Sequence, residues 1–151
     1  MEADIETPRR LGMKILFSRG SNSRWVHQMG RLEQFAEFRR RMNERIMGFG
    51  NLDTKRFWAL DSSVYRAGAL DERVKELLGL ATSLVLRCDD CVTYHIIRCI
   101  QLGLSDEEIL EALNVALVVG GSITIPHLRR AVETMDECRK LSAEELNSLL
   151  A

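Results

Sequence analysis

Apolar positions recur at intervals of three and four along most of the chain, the period of helices with one buried face. Over residues 25–47, Leu32, Phe35, Phe38, Met42 and Ile46 form one such stripe, and the GFGN stretch at 48–51 interrupts it. Asp53 is placed to cap a second helix that carries Phe57, Leu60 and Val64 inward and stops at Gly68. Asp71 opens a third, LDERVKELLGLATSLVLR, with Leu77, Leu80, Ala81 and Leu84 on its buried side. A fourth starts near Cys88 and ends at Gly103. Ser105 and Glu108 stand in capping-box positions for a fifth, which ends at Gly120 and Gly121. Pro126 suits the first turn of a sixth, and Ser142 with Glu145 repeats the capping box for a short last one.

The alternating run SITI at 122–125 is bounded by Gly-Gly and Pro, which predicts a loop or a helix entry rather than a strand. The expected fold class is therefore all-α, a bundle of about six to seven helices. Residues 1–24 have weak periodicity and read as an N-terminal arm whose order depends on a neighbouring subunit, ahead of a helical domain over 25–151.

With 151 residues, 46% of them hydrophobic and 28% charged, the chain can bury a core of ordinary size. Lys plus Arg number 21 against 22 Asp plus Glu, so there is no charge excess to attract nucleic acid or an anionic membrane. The run Arg39, Arg40, Arg41 reads as a solvated helix face. No apolar run approaches the roughly 20 residues needed to span a bilayer. Arg9 and Arg10 precede Leu11 as in a secretion signal, but Gly12, Lys14 and Ser18 interrupt the apolar region that should follow, and the expected location is cytoplasmic. Four cysteines are too few for a disulfide-stapled scaffold, so attention falls on one pair.

That pair lies in RCDDCVTYH, 87–95. At about 100° per residue, Cys88 and Cys91 differ in direction by about 60°, and Cys91 and His95 by about 40°. All three share an arc that borders Val92, Ile96, Cys99 and Ile100, while Tyr94, Arg98 and Gln101 point elsewhere. The helix start favours a thiolate, and an imidazole one turn on can exchange its proton. Asp89 and Asp90 oppose a second anion and should raise a thiol pKa, less so if Asp89 caps the helix and both face water. A CxxC dithiol can close a disulfide and so cycle two electrons without a cofactor. A zinc site is the second reading, with Cys88, Cys91 and His95 plus His127 or an acid as a remote fourth ligand. An inert buried patch is the third. Cys99 and Cys138 read as small buried hydrophobes, and His27 as a surface residue. His127, after Pro126, has a capping or packing role or an accessory place in the site.

The stretch 69–130 resembles the carboxymuconolactone decarboxylase family, in particular its AhpD-like alkylhydroperoxidase branch. The similarity rests on Leu70, Lys75-Glu76-Leu77, the Cys88/Cys91 pair with His95, Gly103-Leu104-Ser105, and Glu107-Glu108-Ile109 before an alanine-bearing helix. Glu76 stands twelve positions before the first cysteine, as the family pattern requires. The helix FWALDSSVYRAG, 57–68, also looks like the one leading into that core. The resemblance implies a homo-oligomer, trimer or hexamer, with the dithiol near a subunit boundary. It implies reduction of a hydroperoxide or small disulfide, with an external dithiol donor restoring the pair and Glu76 and His95 relaying protons. Cys91, with His95 one turn away, is the favoured attacking sulfur and Cys88 the resolving one; the opposite order stays open, because Cys88 is nearer the helix start. Peroxidase members carry a histidine where this chain has Asp90, an accessory position. Decarboxylase members do not rely on a CxxC, which argues against that activity here. A non-enzymatic oligomeric module using the pair as a redox sensor or zinc clip is the alternative from another class.

Overall fold

The computed structural model describes residues 30–150; the expected N-terminal arm, the expected helix start at Trp25, and His27 lie outside that range. Seven α-helices follow one another, α1 (Arg31–Phe49), α2 (Leu52–Val64), α3 (Glu72–Val85), α4 (Asp89–Gln101), α5 (Asp106–Gly120), α6 (Ile125–Cys138) and α7 (Ala143–Ser148). Among the described residues there is no strand, and the all-α expectation holds. No helix among them is long and apolar enough to cross a membrane. The SITI run forms a 3₁₀ turn, Ser122–Thr124, that leads straight into α6.

The centre of the molecule is α3 packed along α4 and α5, with α6 against the other side of α4. Leu80 and Leu84 of α3, Ile96 and Ile97 of α4 and Ile109 and Leu113 of α5 are all fully buried there. The predicted caps of these helices form as expected. Asp71 accepts from Val74 N–H at 2.8 Å, and in the Ser105 box Glu108 N–H donates to the hydroxyl at 3.2 Å while Ser105 N–H donates to the Glu108 carboxylate at 2.8 Å. The Ser142 box repeats the pattern on α7. Gly103, at φ 74°, turns the chain out of α4, and Leu104 N–H then reaches back to Cys99 O at 3.0 Å.

The first two helices depart from expectation. Asn51, not Asp53, caps α2, because its side chain is the one within reach of Thr54 N–H, at 3.0 Å. The helix stops at Val64 with Tyr65 as its cap, well short of Gly68. Nor does it carry its apolar residues inward: Phe57, Leu60 and Val64 are 64%, 59% and 54% exposed, and no residue of α2 is buried. The three-four spacing reports an apolar face, and only the packing partner decides whether that face is covered. On α1, Leu32 is buried and Phe35 packs on the core, but Phe38 is exposed. Arg40 and Arg41 are solvated, whereas Arg39 folds back over the Tyr94 ring with its guanidinium carbon 5.1 Å from the centroid.

The junction between α3 and α4 contains Arg87, the one non-glycine residue with positive φ among those described, at 59°. Arg87 N–H bonds Leu84 O and Cys88 N–H bonds Ser83 O, which closes α3 with a left-handed cap and swings Cys88 to the head of α4. A side chain there carries a cost of about 1 kcal/mol that glycine avoids, partly offset by the greater unfolded-state freedom of glycine. Arg87→Gly should therefore raise stability by about 0.5 kcal/mol in urea denaturation; a loss would mean that the arginine side chain holds the turn.

Candidate functional site

Cys88 is the N-cap of α4 and Cys91 sits on its first turn. The Cys88 sulfur accepts the Cys91 N–H at 3.4 Å, and the two sulfurs are joined in a disulfide across a Cα–Cα distance of 5.3 Å. Cys88 thus takes the capping place that Asp89 could have had. Cys91 is exposed and faces a groove of about 460 Å³ between α1, α2 and α4; Cys88 is half-buried and does not line it. Phe35, Met42, Ile46, Phe57 and Trp58 give the groove apolar walls, and Asp90 and Arg39 bring charge to them.

His95 is the buried member of the motif. Its Nδ1 lies 2.7 Å from Glu76 Oε2, and Glu76 is itself only 2% exposed. A carboxylate so deep in the protein needs compensation, and Arg98 supplies the rest by placing Nε 3.3 Å from Oε1. Because the carboxylate can only accept, the Nδ1–H donates to it and Nε2 is left as the acceptor, with Tyr65 Oη 3.4 Å away. The tyrosine and histidine rings lie with centroids 5.2 Å apart. Gly79 of α3 makes this approach possible. A Cβ there would come within 2.5 Å of His95 Cε1 and 2.8 Å of Tyr65 Oη.

The structure thus brings Glu76 to His95, as the family pattern requires, and places His95 and Cys91 on the same groove. No hydrogen bond joins His95 to either sulfur among the described residues; both ring nitrogens are already engaged. Arg98 and Tyr94, expected to point away from the motif, do not: Arg98 pairs with Glu76 and Tyr94 lines the groove beside Cys91. Gln101 does turn away, donating to Leu146 O at 3.1 Å. Tyr65 escaped notice because it belongs to a different helix and no periodicity in α4 can point to it.

The two accessory candidates separate. Asp90 is exposed on the groove. His127 joins a second cluster on the α6 side: its Nδ1 lies 2.8 Å from Asp89 Oδ1, and Arg130 places Nε 2.8 Å from Oδ2, close enough for an ion pair although off the line of a hydrogen bond. Burial works to raise the Asp89 pKa, but His127 and Arg130 together outweigh it and hold the carboxyl below the ordinary aspartate range. The negative charge expected to oppose a thiolate at Cys88 is therefore largely neutralised from α6. Burial pushes the Cys99 thiol up to about 12 and the Cys138 thiol up to about 11, which makes both inert packing groups, as expected. Among the described residues, with Cys88 and Cys91 joined in the disulfide, no group of three or more His, Cys, Asp or Glu side chains is arranged to hold a metal ion.

The chain belongs to the carboxymuconolactone decarboxylase family, whose model matches residues 54–134. It is similar to a Thermotoga maritima member suggested to take part in an antioxidative response, with 57% identity, a TM-score of 0.70, and coverage of 78% of this chain and 98% of that one. A family protein from Legionella pneumophila, solved in its apo form, matches with 31% identity and a TM-score of 0.52, over 69% of this chain and 86% of that one. An uncharacterised protein of the cox locus in Paracoccus denitrificans is 33% identical over 81 residues, which are 54% of this chain and 73% of that protein.

Two outcomes test this geometry. Gly79→Ala should lower the melting temperature even though alanine is the better helix former by about 1 kcal/mol, because the new methyl group must displace His95 or Tyr65; an increase would show that the rings relax without cost. Asp89→Ala should destabilise by about 1 kcal/mol at about pH 6, a figure kept small by partial solvent exposure. The folded pKa of Asp89 is lowered, so its contribution is complete above the ordinary value of about 3.9 and is lost as pH falls through the lowered one. The gap between wild type and Asp89→Ala in denaturant titrations should accordingly hold at neutral pH and narrow as the pH falls below the ordinary aspartate value.

Proposed function

We propose that this chain is a thiol-dependent peroxidase or disulfide oxidoreductase of the AhpD-like branch, working through the Cys88/Cys91 pair. The observation that carries this reading is the disulfide at the mouth of an apolar groove whose wall also holds the buried Glu76–His95 pair. The antioxidative role suggested for the Thermotoga relative supports it.

Cys91 is the attacking sulfur, because it is the exposed one and the one that meets the groove. Its thiolate attacks the outer oxygen of a hydroperoxide, the O–O bond breaks, and the remainder leaves as an alcohol after gaining a proton. The Cys91 sulfenic acid condenses with the Cys88 thiol, releasing water and forming the disulfide. An external dithiol then attacks the exposed Cys91 sulfur. Cys88 departs as a thiolate stabilised at its N-cap by the Cys91 N–H and the helix dipole, a good leaving group for that exchange. Asp90 stands where peroxidase members have a histidine, so this chain depends on His95 for its proton traffic. The uncovered apolar face of α2 supports a homo-oligomer, trimer or hexamer, and the working location is the reducing cytoplasm.

Thiol titration of the reduced protein tests the proposal. About one equivalent of an alkyl hydroperoxide should remove the two thiols of Cys88 and Cys91 per subunit, and dithiothreitol should return them. Cys88→Ser should stop at a trappable sulfenic acid, and Cys91→Ser should not react. A native thiol count left unchanged by peroxide rules the proposal out.

A further inference from the structure

No hydrogen bond joins His95 to either sulfur among the described residues. Nε2, the nitrogen not taken by Glu76, meets the Tyr65 hydroxyl, and this phenol lines the groove together with Cys91 and His95. Tyr65 is held in place with some care. It caps α2, a helix that buries none of its residues and so contributes little anchoring of its own. The anchor comes from Lys75 on α3, whose ammonium donates to Val64 O at 2.8 Å and to Arg66 O at 2.7 Å, clasping the chain on either side of Tyr65. Lys75 precedes Glu76, so successive residues of α3 fix the two sides of the Tyr65–His95 contact: one holds the backbone that bears the phenol, the other the imidazole. Gly79, one turn further on, leaves the room that both rings occupy.

We infer that the Tyr65 hydroxyl carries protons between His95 and the reacting atoms at Cys91 and acts as the general acid towards the departing alkoxide. The inference rests on the peroxidase reading. In the first step the Cys91 thiol gives its proton to Tyr65 Oη while the phenol passes its own to His95 Nε2, and the imidazolium so formed is held by Glu76; the exposed Cys91 reaches the same thiolate rapidly through solvent, so only the later protonation of the alkoxide requires the phenol. The thiolate attacks, the O–O bond breaks, and the alkoxide takes the proton of Tyr65, which is refilled from Nε2. The balance is one thiol and one hydroperoxide converted to one sulfenic acid and one alcohol, with the relay returned to its starting state. Burial first, and then the charge of Glu76, push the phenol above its ordinary pKa, which keeps it a hydroxyl at neutral pH.

The test compares two oxidants on the full chain. The alkoxide released from tert-butyl hydroperoxide needs a proton, whereas the acetate released from peracetic acid does not. Tyr65→Phe keeps the ring against His95 and removes only the hydroxyl. It should slow oxidation of the reduced dithiol by tert-butyl hydroperoxide by about a hundredfold while leaving peracetic acid within a few-fold of wild type. Lys75→Met, which keeps the phenol and frees the turn that bears it, should give the same contrast at smaller size. Equal losses with both oxidants, or no loss with either, overturn the role of Tyr65 alone. A wild type inert to both oxidants overturns the peroxidase reading and this inference with it.

Discussion

The structure depends on a carboxylate buried where no carboxylate would be stable alone. Glu76 lies at the α3–α4 contact with 2% of its surface exposed, and it is compensated by two residues on one face of α4, His95 and, one turn later, Arg98. Removing one partner of such a group leaves a desolvated charge, at a cost on the order of 3–5 kcal/mol. The same interaction therefore sets how α3 lies along α4, which nitrogen of His95 bears hydrogen, and which way the other nitrogen faces. Stability and chemistry are not separable at this point in the chain.

From that contact the rest of the site follows in two directions. Towards the helix start, the left-handed Arg87 ends α3 and delivers Cys88 to the N-cap of α4, so the sulfur pair inherits the unpaired first-turn N–H groups. His127 and Arg130 neutralise Asp89 there, and the local charge that would have worked against a thiolate is drawn off towards α6. Towards the groove, the missing side chain at Gly79 lets Tyr65 and His95 meet.

The central helices were legible in the sequence because their caps and stripes are local. Asp71, Ser105 and Ser142 each bond within three residues of themselves, and Leu80 and Leu84 need only a partner helix of the right character. The arc holding Cys88, Cys91 and His95 was likewise legible, since one helix determines it. Apart from the Glu76–His95 pair, which the family resemblance supplied, what escaped was decided between helices. Arg98 was expected to point away from the motif and instead pairs with Glu76 on α3. Tyr65 and Gly79 act on His95 across helix boundaries that no single-helix period encodes. Phe57, Leu60 and Val64 failed in the opposite sense: the pattern is present and the partner is not among the described residues.

That last failure bears on how the site works. Helices that bury little are the first to open, because few apolar contacts must be broken to release them. α2 is such an element, and it carries both the phenol beside His95 and one aromatic wall of the groove. The cysteines and His95, by contrast, stand on α4, which is packed between α3 and α6. The site is thus built half on the rigid centre and half on a helix whose main polar tether is the Lys75 clasp. In the proposed homo-oligomer a neighbouring subunit covering the apolar face of α2 would add the burial this helix lacks, and would stiffen the groove and the Tyr65–His95 contact together. Assembly and the proposed proton transfer would then be linked through one short helix, since covering its outer face would add to the Lys75 clasp in holding Tyr65, the cap of that helix, against the imidazole.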